Sequence, residues 1–518
     1  MESCWLSCTR SGFRVQPQRP RINEPIAAAP KASTSAGTIT VPTAASIAMP
    51  IPPKCRNTRM SINSRTIKEL RSIVGEANLF DSVEKRIVYA SDASRQTGAL
   101  PDLIARPATA EQVSRILALA NEQRIPVYAR GAGSGLSGGA VAVRGGLVLD
   151  FELMNRILRI DPDNMTATVE PGVVVRDVQK QVEAQRLFYP PDPASSDFCT
   201  IGGNVAENSG GLRGAKYGST RNYVLALEVV LANGDVLRVG SGAPKSVTGY
   251  DLLGLFVGSE GTLCLFTETL LRLVPLPESV DTVLAQFQNA DQAIAAVCEM
   301  FASGIVPRAA ELMDEKAVEC AGKYNKNQAL PAEGIVCLFE VDGPREITQL
   351  DADRVTAICK KNGAIIARRA ASESERDQFW ALRKAISPAL YQFGRIKLNE
   401  DICVPRSRLP EMVRMIEEIG LKHSLLIVNF GHIGDGSLHV NVMLERDDQE
   451  LMKKAELAVS EIFAAAVSLG GTLSAEHGIG LTKMRYLGLE VGENEYKVMA
   501  AIKKILDPNN ILNPGKFI

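Results

Sequence analysis

Residues 130–139 read Arg-Gly-Ala-Gly-Ser-Gly-Leu-Ser-Gly-Gly, and the segment that follows constrains the fold more than the glycines do. Gly133, Gly135 and Gly138 have the GxGxxG spacing with which a Rossmann loop opens a helix toward a pyrophosphate. Here Ile125–Ala129 reads as a strand entering the loop, and Val141–Asp150 reads as strand leaving it, most clearly over Gly146–Asp150. A strand in place of the helix rules out a Rossmann unit. The loop still offers consecutive backbone N–H groups with no side chains in the way. Such a nest can hold a diphosphate without a helix dipole, and Arg130 adds a charge. An ordinary glycine-rich turn would look the same.

A second small-residue run, Pro190–Asp197 followed by Thr200–Gly211, and a third, Gly258–Thr262, suggest a long ligand lying close to backbone. Around them Thr109 caps a helix with Val113, Ile116, Leu117 and Ala120 on its apolar face. Asn233-Gly234 marks a hairpin between Val224–Ala232 and Asp235–Val239. The first half is therefore α+β with much antiparallel pairing, and Pro275-Leu-Pro277 reads as a domain boundary. The second half mixes strands (Ile335–Glu340, Leu425–Phe430) with long helices such as Glu450–Leu469, which ends at Gly470-Gly471.

A chain of 518 residues exceeds a single ordinary core, so two domains are expected. With 45% hydrophobic residues and a net charge of −1, nothing points to nucleic acid or an anionic membrane. No stretch approaches the roughly 20 apolar residues of a membrane span. The ten cysteines include no CxxC pair, which argues against a disulfide scaffold and an iron–sulfur cluster. Any redox chemistry must then pass its electrons to another molecule. Residues 1–60 are rich in Pro, Ala, Ser and Thr, carry Arg10, Arg14, Arg19 and Arg21, and read as a disordered extension. It is either translated upstream sequence with Met60 as the start, or a transit peptide; its prolines favour the former.

The four histidines are His423, His432, His439 and His477, and three fall in two motifs. In Asn429–Asn441, Asp435-Gly436 is a preferred two-residue turn. A hairpin closed there sets His432 opposite His439 on one face, with Asn441 two residues on. Two imidazoles so placed can bind a divalent metal, and Glu476 of Ser474-Ala-Glu-His-Gly-Ile-Gly480 can be a third ligand. Three ligands leave a position open for substrate, and His477 stands beside them. Core or turn histidines are the competing reading. Phe379–Pro388 looks helical up to Pro388; Arg383 could grip a carboxylate bidentately, with Ser387 on the same face.

Taken together, these loops and motifs resemble the vanillyl-alcohol oxidase/PCMH flavoprotein superfamily. Within it they are most similar to the branch of glycolate oxidase flavin subunits, D-lactate dehydrogenases and D-2-hydroxyglutarate dehydrogenases. The resemblance spans Ser61 to Ile518. It implies an α+β fold: a two-part PCMH-type FAD-binding domain over 61–277, then a substrate cap domain with a ferredoxin-like sheet and C-terminal helices over 278–500. Residues 501–518 would return to the FAD domain. It further implies that Arg130, Gly131, Gly133, Ser134, Gly135, Leu136 and Ser137 hold the pyrophosphate of FAD. Pro191, Asp192, Ser195, Ser196, Thr200, Ile201, Gly202, Gly203, Asn204, Asn208 and Gly211 would line the flavin and ribityl chain, with Tyr217, Gly218, Asn513 and Lys516 as further contacts and Glu260 and Gly261 near the adenosine.

By the same resemblance His432, His439 and Glu476 hold zinc, with manganese or iron as alternatives. His477 is the base, and Arg383 and Lys397 bind substrate; Asn441 and Ser387, set on the same faces by strand and helix spacing, are expected in the site with them. FAD is expected to be non-covalent, since no histidine lies in the flavin half and Cys199 reads as a buried thiol. Cys264 and Ser437 depart from the family pattern. The implied reaction is metal-assisted hydride transfer from a small D-2-hydroxy acid, D-lactate or glycolate, to flavin N5. The alternatives are D-2-hydroxyglutarate, a non-redox ether-lipid synthase type, and a non-catalytic flavin subunit. Electrons would leave to an iron–sulfur subunit, an electron-transferring flavoprotein, a cytochrome or a quinone. The place expected is the cytoplasm, with a peripheral position at the inner membrane through a partner as an alternative, or the mitochondrion if residues 1–60 are a transit peptide.

Overall fold

The computed structural model describes residues 62–94, 96–325 and 333–518, so the reading of residues 1–60 lies outside it. The glycine loop sits in a small sheet. β1 (Leu79–Phe80), β2 (Leu103–Ala105), β3 (Val127–Arg130) and β4 (Leu147–Asp150) form a sheet in the order β1-β2-β4-β3. β2 and β3 both run parallel to β4, so this sheet stands apart from the antiparallel pairing expected for much of the first half. The reason is the connection. Helix α1 (Ala110–Gln123), capped by Thr109, crosses from β2 to β3 and buries Val113, Ile116, Leu117 and Ala120 against the sheet.

A second sheet is antiparallel: β5 (Ile157–Asp161), β6 (Thr166–Val169), β7 (Val224–Val230), β8 (Val236–Gly240) and β9 (Leu265–Arg272), in the order β5-β6-β9-β7-β8. Val230 pairs with Val236, so the loop at Asn233-Gly234 is longer than a two-residue turn. Between β6 and β7 lie α2 (Ile201–Glu207), capped by Thr200, and the single turn α3 (Gly214–Tyr217).

The second half is built on a seven-stranded sheet, all of whose pairings are antiparallel. Its strands are β10 (Ser279–Phe287), β11 (Ala309–Met313), β12 (Ile335–Gly343), β13 (Ile366–Arg369), β14 (Ile396–Cys403), β15 (Leu426–His432) and β16 (Ser437–Leu444). The order β13-β10-β12-β11 is the ferredoxin-like arrangement, extended by β15-β16-β14. Strand alternation gives the sheet two different faces. One carries Val283, Ala285, Leu312, Cys337, Phe339, Val440 and Val442 into a core with α4 (Ala290–Ala302), α5 (Arg345–Lys361), α6 (Leu409–His423) and α7 (Gln449–Ser468).

The other face carries Leu284, Met313, Val336, Leu338, Phe430 and Met443, covered by the helix Glu315–Asn325 and by α8 (Glu373–Ala389). α8 buries Phe379, Leu382, Arg383, Ile386 and Ala389, a stripe at helical spacing with one arginine in it. Pro388 lies inside the last turn of α8, since a proline there breaks only one backbone bond near the helix end. The C-terminal helix α9 (Glu493–Leu506) and the tail pack on the first half, where Ile511 and Leu512 join the core under β3. Among the described residues no helix is long and apolar enough to cross a membrane.

Candidate active site

The polar residues of the site occupy the second face of the seven-stranded sheet. Register puts Glu311 of β11 beside His432 of β15, Phe430 beside His439 of β16, and His439 beside Asp401 of β14. The expected hairpin register is thus corrected. His439 faces Phe430, and the turn spans four residues, Ile433–Gly436, closed by Asp435 and Gly436 N–H groups on His432 O. Packing decides this. Gly434 lies against Ala215 of α3, and the Asp435 side chain accepts from Ser437 N (3.2 Å) and Oγ (2.8 Å). A shift of two residues keeps each side chain on its face, so the histidines still meet, now diagonally.

His432 Nε2 and His439 Nε2 are 3.3 Å apart, and Glu476 Oε1 is 3.7 and 3.5 Å from them. A tetrahedral metal with bonds of about 2.0–2.1 Å to nitrogen separates two such ligands by about 3.3 Å. The spacing and the N, N, O donor set therefore fit a divalent metal such as zinc. Glu311 completes the arrangement: its Oε1 is 2.5 Å from His432 Nδ1, which leaves Nε2 free to ligate. Burial alone would lower the pKa of His432, but the carboxylates of Glu311 and Glu476 raise it well above the ordinary value. Burial holds His439 well below its ordinary value. Burial opposes ionisation of Glu476, yet His432, His439 and His477 bring it down to about 2.

Arg383 enters from α8. Its Nε and Nη2 both donate to Glu311 Oε2 (2.8 and 2.6 Å), and its guanidinium lies 4.6 Å over the Phe430 ring. Glu311 thus occupies the side-on fork of the guanidinium and leaves the end-on fork for another carboxylate. His477 stacks on His439 with ring centroids 5.4 Å apart. Its Nδ1 is 3.1 Å from Asp401 Oδ1. Asp401 also accepts the backbone N–H of Glu476 and His477 (2.7 and 2.9 Å) and pairs with buried Lys483. Burial works against the charge on His477, but Asp401 and Glu476 leave its pKa raised.

Sequence reasoning missed Glu311, Asp401 and Lys483. The available signal for Glu311 was a lone acid in an apolar strand, Ala309-Ala-Glu-Leu-Met313; Ile396–Cys403 carries Lys397, Glu400 and Asp401 together, so Asp401 did not stand out there. Asn441 donates to Val428 O and His439 O, and its Oδ1 is buried without a partner among the described residues. Lys397 and Ser387 meet each other: Lys397 Nζ donates to Ser387 Oγ (2.7 Å) and O (3.1 Å), four residues along β14 from Asp401.

Glu476 and His477 also line a cleft that runs into the first half. Its walls include Arg130, Gly131, Gly133, Ser134, Gly135, Leu136, Ser195, Thr200, Gly202, Gly203, Asn204, Glu260, Gly261 and Asn513. The glycine loop and α2 approach as closely as backbone allows; a Cβ on Gly131 would lie 2.2 Å from Thr200 Oγ1. Asn204 and Asn513 present buried amide oxygens that have no hydrogen-bond partner among the described residues. Such a wall fits a polar, diphosphate-bearing cofactor.

The other residues expected on the cofactor stand behind this lining. Ser137 O accepts from Leu481 N and Thr482 N, and Ile201 is core. Pro191 O accepts from Gln179, Asp192 pairs with Arg213 (3.2 Å), and Ser196 meets Arg176. Asn208 caps α2, and Gly211 bridges to Asp192. Tyr217 donates to Asp342 (2.8 Å), Gly218 ends α3, and Lys516 donates to Gly138 O and Val141 O. Glu260 directs both oxygens at Ile479 N and Gly480 N (2.8 Å each), tying the cleft to the His477 loop.

Two family models match the chain: an FAD binding domain over residues 101–240, and the C-terminal domain of FAD linked oxidases over 276–517. The chain is 44% identical to the glycolate oxidase subunit GlcD of Bacillus subtilis (strain 168), over 88% of this chain and 97% of that one. It is 35% identical to a D-lactate dehydrogenase of Anaerostipes hadrus, over 81% of this chain and 90% of that one. Its fold is that of p-cresol methylhydroxylase, with a TM-score of 0.73 at 20% identity over 88% of this chain and 96% of that one. The cleft, the sheet and these relatives agree: the chain belongs to the FAD-linked oxidases, in the branch that includes glycolate oxidase subunits and D-lactate dehydrogenases.

Proposed function

We propose that the protein oxidises a small D-2-hydroxy acid, D-lactate or glycolate, to the 2-oxo acid and passes the electrons to a separate acceptor. One observation carries this reading: Glu476 and His477 line the flavin cleft while belonging to the His432–His439–Glu311–Arg383 cluster. Bound FAD supplies a hydride acceptor, and a divalent ion on His432, His439 and Glu476 supplies a Lewis acid for the hydroxyl. The end-on fork of Arg383 binds the substrate carboxylate and fixes its orientation. His477 takes the hydroxyl proton on Nε2, while Asp401 holds Nδ1 and steadies the charge that results.

One observation favours a longer acid such as D-2-hydroxyglutarate. Lys397 is half-buried on the site face, donates to Ser387, lies 5.2 Å over the Tyr391 ring and has no carboxylate partner among the described residues, a cation left to meet a second carboxylate. That the acceptor is a separate molecule is supported by the cysteines, which have no cluster spacing. An iron–sulfur subunit, electron-transferring flavoprotein, cytochrome or quinone fits equally.

The test is anaerobic mixing of the protein with D-lactate, L-lactate, glycolate and D-2-hydroxyglutarate in turn, following the visible flavin absorbance. Bleaching by a D-acid or glycolate, lost with a chelator and restored by a divalent ion, is expected. His477→Ala should keep its flavin and leave it oxidised. Flavin that none of these acids reduces overturns the reading and returns the protein to a non-redox or accessory role.

A further inference from the structure

Two carboxyl groups behind the His477 loop take no part in the chemistry above. Glu260 is satisfied by the N–H groups of Ile479 and Gly480. Glu207, the last residue of α2, lines the cleft and makes no hydrogen bond among the described residues; its Oε2 is sealed from solvent. The two groups are close neighbours. A Cβ on Gly478 would lie 2.3 Å from Glu207 Oε2 and 2.9 Å from Glu260 Oε1, and Gly478 has φ +80°.

Two carboxylates so near in a low-dielectric site cannot both stay ionised. Glu260 has two backbone donors for an anion and Glu207 has none, so the proton belongs on Glu207. The other charges point the same way. Asp92 and Asp401 add negative field at Glu207. Lys516 opposes them, but its ammonium is held on the carbonyls of Gly138 and Val141 (2.6 and 2.7 Å). Burial, then Glu260, pushes the Glu207 carboxyl well above the usual range. As a carbonyl oxygen, sealed Oε2 tolerates its lack of a partner; as half of an anion it would not. The O–H then sits on Oε1, which lies against Gly139, itself part of the cleft wall.

We propose that Glu207 is a neutral carboxylic acid that donates a hydrogen bond to the FAD held in this cleft. The inference rests on FAD occupying the cleft and is independent of the substrate. The experiment titrates FAD into the flavin-free full chain and into Glu207→Gln and Glu207→Ala. Glutamine keeps a neutral donor, so E207Q should bind within about twofold of the parent. E207A should bind about tenfold more weakly, the loss of one hydrogen bond, with a shifted visible flavin band. Infrared difference spectra of parent against E207Q supply a second readout that does not depend on E207A folding. A protonated-carboxyl stretch at neutral pH, moving when FAD binds, is expected. Carboxylate bands in its place, or E207A matching the parent in affinity and spectrum, would overturn the proposal. A parent that binds no FAD would overturn the cofactor assignment itself.

Discussion

Glu311 shows how one side chain can govern two others. It is fully buried, one oxygen on His432 Nδ1 and the other on the Arg383 guanidinium. Burial alone would favour its neutral form, but His432 and Arg383 keep it ionised below the ordinary range. Glu311→Gln keeps the shape but sets an amide N–H₂ against one of its two N–H donor partners, His432 or Arg383. Partners of this kind typically change metal affinity by about 10–100-fold. The expected variant therefore keeps FAD, binds zinc that much more weakly in a competition titration, and shows a raised KM for the hydroxy acid. A second prediction concerns pH. In its proposed role as base His477 must be neutral, and Asp401 stabilises its cation. Activity should then rise with pH through a value above the free-imidazole 6.5. Asp401→Asn removes that stabilisation, so the acid limb of the kcat/KM profile should move to lower pH while kcat falls. An acid limb that stays put would separate Asp401 from His477.

The hairpin β15–β16 carries the same lesson at the scale of an element. Its existence and the face it shows to the site were legible from the alternation around His432 and His439. Its register was not, because Ala215 and Arg406 help to set it. Arg406 donates to Gly434 O (2.9 Å), and neither residue is near in sequence. Glu311 escaped for the same reason: its partners lie 72 and 121 residues away. Gly436 is the point at which the turn can be tested. It has φ +98°, and a Cβ there would lie 2.1 Å from Val404 O. Gly436→Ala must strain the turn or push β16 from the strand end beside it, a cost of about 1–3 kcal/mol. The expected outcome is a lower Tm by calorimetry, with metal affinity reduced and FAD content unchanged.

At the scale of the whole molecule, catalysis by this geometry needs the sheet to stay fixed against the flavin cleft. Besides the Glu260 contacts, Asp342 of β12 makes that tie. Its buried side chain pairs with Lys216, accepts from Tyr217 Oη (2.8 Å) on α3, and meets Arg308 (3.4 Å). Arg308 also pairs with Glu340 (3.0 Å), and both Arg308 and Arg213 lie over the Phe188 ring. Removing one member of such a buried network leaves charges without partners, typically a loss of about 3–5 kcal/mol. Asp342→Ala should therefore lower Tm, and adding Lys216→Ala should cost far less than it does alone, because the pair acts as a unit. The same variant separates anchoring from plain stability. If the tie holds the His477 loop over the cleft, hydrogen exchange across residues 474–483 should speed up in Asp342→Ala, and flavin reduction should slow while FAD content stays whole. Unchanged exchange with a lowered Tm would leave Glu260, through Ile479 and Gly480, as the contact that positions the base.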